Sequence, residues 1–155
     1  MRKGEPTDAA TPGAESAAAD GVSREASPGR KTFHSDGAPK AIGPYSQAAK
    51  VGNTIFLSGQ IPLDPATQTL VEGDIATQTE RVMKNLGAVL AAAGASFDDV
   101  VRCGIFLTDL NDFAKVNEVY GRYFQGPPPA RSTVQVSALP KGAKVEIDAV
   151  AVVAG

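Results

Sequence analysis

Hydrophobic and polar positions repeat along this chain with two different periods, and the switches between the periods mark out the elements. The runs Ser46 to Lys50 and Thr54 to Gln60 flank Gly52-Asn53, a pair that tolerates positive φ, so a β-hairpin is predicted there. After the proline-containing loop IPLDPATQTLVEGD, the residues Ile75, Val82, Met83, Leu86, Leu90 and Ala93 recur at helical spacing, with Asp74 as N-cap and Gly94 as C-terminal stop. Val100 to Leu107 is short and β-branched enough to be a buried strand. Asp109 or Asn111 then caps a second helix carrying Phe113, Val116, Tyr120 and Phe124 on one face, and Pro127 to Pro129 end it. Two closing strands, Ser132 to Ser137 and Lys144 to Val153, are joined by LPKG, and Val145, Ile147, Ala149 and Ala151 alternate onto one face of the last. The order is ββαβαββ.

Two helices cannot cover both faces of a five- or six-stranded sheet, so an α+β chain with both helices on one face is predicted, its other sheet face bare. Val150, Val152 and Val153 make the last strand apolar on both sides near its end, which points to another subunit on that face.

Composition narrows the chemistry. Of 155 residues, 43% are hydrophobic and 21% charged, and 15 basic against 17 acidic residues leave a net charge of −2, which argues against a nucleic-acid partner. Residues 1–30 offer only Met1 and Val22 as sizeable apolar side chains, so they are expected to be a disordered Ala/Gly/Pro/Ser-rich extension, with the folded domain at 31–155. No window reaches the roughly 20 apolar residues of a membrane helix, and no secretory leader is evident, so a cytoplasmic protein is expected. The one cysteine, Cys103, excludes an intrachain disulfide and a Cys-rich metal site and reads as a buried small hydrophobe. The one histidine, His34, removes His-based relays and reads as a surface residue, so chemistry without a metal is expected.

Several residues remain as candidates. Arg131, delivered into a strand by PPPARSTV, is either a bidentate carboxylate clamp or half of a surface ion pair. Glu146 points opposite Val145 and Ile147, together with Lys144 and Asp148; it is either part of a solvated polar stripe or a desolvated carboxyl fit for acid/base work. Asn117 falls beside the apolar stripe of the second helix and needs a partner, in a pocket or in a neighbouring loop. Gly59, in Ser58-Gly59-Gln60, allows close approach by a ligand or simply bends the strand. Tyr45 walls a pocket or packs.

Five separated blocks, AIGPYSQA, IFLSGQIP, LTDLNDFAKVNEVY, PPARSTVQV and LPKGAKVEIDAVAV, follow the order and nearly the wording of the RidA family, also called YjgF/UK114 or endoribonuclease L-PSP, which the chain resembles from about Phe33 to Val153. The resemblance implies a chorismate-mutase-like fold, a mixed sheet with two helices on one face, and a homotrimer with a central barrel and ligand clefts between subunits. It implies cofactor-free hydrolysis of 2-imino acids, such as 2-iminobutanoate and 2-iminopropanoate, to 2-keto acids and ammonia, limiting metabolite damage. By the same resemblance Arg131 clamps the substrate carboxylate and Glu146 activates water and returns a proton to nitrogen. Tyr45, Gly59, Asn117 and Thr133 match the remaining pocket positions, with Ser58 and Ser132 adjacent. Many relatives carry cysteine where this chain has Thr133, so no thiol is required, and the QGPPPA segment before Arg131 is shorter than in many of them, which bears on substrate size. A noncatalytic carboxylate-binding or chaperone-like trimer is the alternative reading, and a ribonuclease, the older family label, is disfavoured by the net charge.

Overall fold

The computed structural model describes residues 29–154; the expectation for the segment before Gly29 lies outside the described residues. Six strands and two helices alternate as β1 (Lys31–Phe33), β2 (Ala48–Val51), β3 (Thr54–Gln60), α1 (Ile75–Ala92), β4 (Val100–Leu107), α2 (Phe113–Gly121), β5 (Ala130–Gln135) and β6 (Val145–Val152). The strands form one mixed sheet in the order β1-β2-β3-β6-β4-β5. Only β4 and β5 run parallel, which requires a crossover, and α2 supplies it. β6, last in sequence, sits in the middle of the sheet, antiparallel to both β3 and β4.

The caps explain why α1 starts and stops where it does. Asp74 accepts a hydrogen bond from the Thr77 backbone N–H at 2.9 Å, and Gly94 turns the chain out at φ +76° while the Ala95 N–H reaches back to the Leu90 carbonyl at 2.9 Å. Gly52 takes the positive φ of the β2–β3 hairpin. One side of α1, through Val82, Met83, Leu86, Val89 and Leu90, is buried against Ile55, Leu57, Ile105, Leu107, Val145 and Ile147 on the sheet.

Three elements differ from the sequence reading. β1 was not anticipated: Lys-Thr-Phe is too short and too polar to announce itself, and it exists as an edge strand paired antiparallel to β2. α2 ends at Gly121, well before Pro127. Phe124 still reaches the core from the turn that follows, its ring 4.8 Å from Tyr120 and 5.7 Å from Phe97, so the apolar spacing was real although the helix had stopped. Asp109 caps a single 3-10 turn, Leu110–Asp112, by accepting from the Asn111 N–H, and neither Asp109 nor Asn111 caps α2 itself. β5 begins two residues before the expected Ser132.

Both helices lie on one sheet face, and the other is bare and apolar. Phe56 is 53% exposed, Val134 46% and Val152 42%, side chains an isolated sheet would be expected to cover. Among the described residues no helix is long and apolar enough to cross a membrane.

Candidate functional site

Strand alternation and register decide where each candidate side chain goes. Ile147 and Ala149 of β6 are buried under the helices, so Glu146 and Asp148 face the bare side. Along that face Glu146 stands opposite Phe106, and Asp148 opposite Gly104. On the other flank, Leu57 pairs with Ala149 and Gln60 with Ile147, leaving Ser58 and Gly59 against the single residue Asp148. That is a β-bulge, a device that bends a strand and re-aims its neighbours.

The bulge makes room for the carboxyl. A Cβ at residue 59 would lie 2.9 Å from the Glu146 carboxyl carbon and 3.0 Å from its Oε2, so the group that closes on Gly59 is the Glu146 side chain. Ser58 ties the bulge to the chain before β2, its hydroxyl donating to the Ser46 carbonyl at 2.6 Å. Tyr45 is 46% exposed and its hydroxyl accepts from the Ile42 N–H at 3.1 Å, so the ring stands over the site instead of packing in the core. Ile42, Tyr45, Ser58, Gly59, Pro140 and Glu146 thus line a cleft of about 290 Å³. Glu146 is half-buried there; burial holds its carboxyl above the ordinary value of 4.5, and the neighbouring Asp148 carboxylate adds to the effect. A carboxyl in such a cleft can hold a proton nearer neutrality and give it up to a bound molecule.

Arg131 lies on the opposite face. It pairs with Cys103, whose side chain is buried beneath the helices, and Thr133 pairs with the equally buried Ile105. The guanidinium carbon sits 5.4 Å from the Phe113 ring centroid and 5.1 Å from that of Tyr120, so two rings of α2 orient the cation. Among the described residues no carboxylate forms an ion pair with Arg131. Asn117, on the same helix between Phe113 and Tyr120, is half-buried, and its side-chain amide makes no hydrogen bond with another described residue. The Thr133 hydroxyl oxygen is buried and likewise without a hydrogen-bond partner, while the Tyr120 hydroxyl meets the Cys103 thiol. A guanidinium with no ion-pair partner and a neighbouring free hydroxyl suit a small anion. Ser132 alternates to the bare face, where its hydroxyl accepts from Arg102 at 3.3 Å.

The eight candidates therefore form two groups. Tyr45, Ser58, Gly59 and Glu146 line the cleft on the bare face; Arg131, Thr133 and Asn117 gather under α2; Ser132 joins neither. Cys103 is buried, and burial raises its thiol despite the nearby Arg131 and Arg102, so it is no nucleophile. His34 is exposed beside Asp36.

The sequence reading missed the buried amides that hold these groups in place. Gln47 accepts from the Ser35 N–H at 2.6 Å and donates to the Pro39 carbonyl at 2.8 Å, which fixes the loop leading to Tyr45. Asn85, fully buried on α1, donates to the Leu63 carbonyl at 3.0 Å and so anchors the chain just past Gly59. Gln78 accepts from the Lys144 N–H at 3.1 Å at the foot of β6. For Gln78 and Asn85 the available signal was an amide on an apolar helical stripe, the reasoning applied only to Asn117; Gln47, outside any helix, gave no such signal. A groove of about 460 Å³ between α1 and α2, lined by Glu80, Arg81, Lys84 and Arg122, includes none of the candidates.

A small α+β chain with one helical layer, a carboxyl cleft at a sheet bulge and an arginine pocket behind the edge strand is a recognisable class. The family described as endoribonuclease L-PSP matches residues 35–153. The chain belongs to that family, the RidA/YjgF family. It is 73% identical over 125 residues to Protein DfrA of Myxococcus xanthus, covering 79% of this chain and 95% of that one. It is 51% identical over 123 residues to the 2-iminobutanoate/2-iminopropanoate deaminase of Mus musculus, covering 79% of this chain and 91% of the relative. Among solved structures, E. coli TdcF with bound serine superposes with a TM-score of 0.77 at 44% identity, covering 80% of this chain and 99% of that chain.

Proposed function

We propose that this protein hydrolyses small 2-imino acids, 2-iminobutanoate and 2-iminopropanoate among them, to 2-keto acids and ammonia in the cytoplasm, as a homotrimer around a central barrel with each active site shared by two subunits. The observation that carries the reading is the placement of Arg131 and Glu146 on opposite faces of one sheet. A carboxylate clamp and an acid/base that act on one small molecule must then come from two copies of the chain. The bare apolar face supplies the surface for assembly. The name borne by the mouse relative supports the reaction, and the serine in TdcF supports a ligand of this size carrying a carboxylate.

In this mechanism Arg131 of one subunit holds the substrate carboxylate through two charge-assisted hydrogen bonds, with Asn117 and the Thr133 hydroxyl beside it. Across the interface the Glu146 carboxyl protonates the imine nitrogen. Its carboxylate then takes a proton from water as the water oxygen bonds to the C=N carbon, giving a carbinolamine. Glu146 passes that proton to the nitrogen and removes the carbinol proton as the C–N bond breaks, so ammonia leaves, the keto acid forms and Glu146 ends protonated. No cofactor or metal enters these steps.

The test is a coupled assay in which a serine or threonine dehydratase generates the imine in place, with keto-acid release followed for the wild type, Arg131→Ala and Glu146→Gln. Wild type is expected to accelerate release and each variant to lose about 100-fold or more. Full turnover by Arg131→Ala would overturn the mechanism. The second reading, a carboxylate-binding trimer without turnover, is favoured by the serine in TdcF and predicts ligand binding with no acceleration.

A further inference from the structure

Glu146 is not alone on its face of β6. Asp148, two residues on, shares that face, and its carboxylate is fixed: Oδ1 accepts a hydrogen bond from the Gly104 backbone N–H at 2.9 Å. This contact exists because residue 104 has no side chain. A Cβ there would lie 2.5 Å from Oδ1, closer than two such atoms approach, so only glycine lets the carboxylate lie against β4. On the β3 side, the Ser58-Gly59 bulge is the feature opposite the same aspartate, and Gly59 is the residue against which the Glu146 carboxyl rests. Two glycines on the strands flanking β6 thus seat two carboxyl groups whose backbone positions are one strand repeat apart, about 7 Å.

We propose that Asp148, seated on Gly104, is a positioning residue for Glu146: a fixed carboxylate on the same face of β6 that turns the Glu146 carboxyl away from itself, toward Gly59 and the Tyr45 cleft. The inference rests on the imine-hydrolysis reading, in which Glu146 must arrive protonated to activate the imine nitrogen. The direction in which Glu146 is displaced from its ordinary value accords with it, burial acting first and Asp148 second. The other charged or titratable groups around the pair are Lys40 and Tyr45 in the loop before β2, Lys141 in the Pro140–Gly142 turn, Lys144 at the foot of β6, Arg102 on β4, which is hydrogen-bonded to Ser132, and, in the shared site proposed above, Arg131 of the neighbouring subunit. Besides Arg102, the residues of β3 and β4 opposite the two carboxyls are Ser58, Gly59, Gly104 and Phe106, none of them an anion.

Asp148→Asn tests this directly, because an amide oxygen still accepts from the Gly104 N–H while the charge is gone. The first readout is the titration of the Glu146 side-chain carboxyl by carbon-13 NMR in the assembled protein, assigned with Glu146→Gln. The second is the pH at which imine turnover falls on the alkaline side. Both midpoints are expected to move down by about 1 pH unit in Asp148→Asn. Asp148→Glu, which keeps the charge, is expected to hold the Glu146 midpoint closer to wild type than Asp148→Asn does. An unmoved Glu146 midpoint in a correctly assembled Asp148→Asn protein overturns the proposal whatever the turnover. A midpoint that moves in a protein whose wild type shows no imine turnover supports the coupling of the two carboxyls and removes the reaction it was argued to serve.

Discussion

At Glu146 the demands of folding and of chemistry oppose each other. Burial raises its carboxyl above 4.5, so the folded protein binds this proton more tightly than the unfolded chain does. Below the unfolded value both states are protonated and Glu146 carries no penalty. As pH rises from about 4.5 toward the folded value, the unfolded chain releases its proton first, and stability falls through that window. Glu146→Gln is therefore expected to unfold at a higher temperature than wild type at neutral pH, with the gap closing in acid. Thermal unfolding across pH checks this, and a variant less stable than wild type at neutral pH would show that the charged carboxylate is well solvated after all. Arg131 is the complementary case, a cation set between Phe113 and Tyr120 with no anion of its own chain beside it. The sheet face of Glu146 and the strand entry of Arg131 were legible in the sequence, because alternation in VEIDAVAV and the stiff PPPARS entry are local, while their roles came only from the family resemblance. Which partners they lack was not legible, since that depends on register across β4, β5 and β6.

At the scale of elements, the site is made by an irregularity in β3. A regular strand would send Ser58 and Gly59 to alternate faces, whereas the bulge sets both against Asp148 and leaves the Glu146 carboxyl resting where a Cβ would be. Gly59→Ala should push that carboxyl out of place while leaving the core beneath α1 intact. We expect turnover to drop by about 100-fold with little change in the unfolding midpoint, read from kinetics and thermal melts on the same preparation. Retained turnover would mean that the carboxyl does not act from this position. α1 and the β2–β3 hairpin were readable from Asp74, Gly94 and Gly52 because caps and turns are short-range chemistry. The bulge and β1 were not, since each is defined by its pairing partner. α2 fell between: its apolar spacing was right, but the aromatic contacts of Phe124 are made from a turn, which periodicity alone does not separate from a helix.

At the scale of the whole molecule, one sheet divides the candidate residues in two. The helical layer covers Arg131, Thr133 and Asn117, while Glu146, Gly59 and Tyr45 look out from the bare side among the exposed Phe56, Val134 and Val152. The bare sheet face was visible in the sequence from the shortage of helices. That the two groups of candidates sit back to back came only with the strand order, in which β6 lies between β3 and β4. The central claim is that one subunit's arginine serves another subunit's glutamate, and subunit mixing tests it most directly. Arg131→Ala and Glu146→Gln chains, each inactive alone, are co-assembled in equal amounts and assayed for imine hydrolysis. If each site takes its arginine from one copy and its glutamate from the next, random mixing restores both groups in about a quarter of all sites and activity returns to about that fraction of wild type. If mixed assemblies form and stay as inactive as their parents, the site is not shared and the account fails.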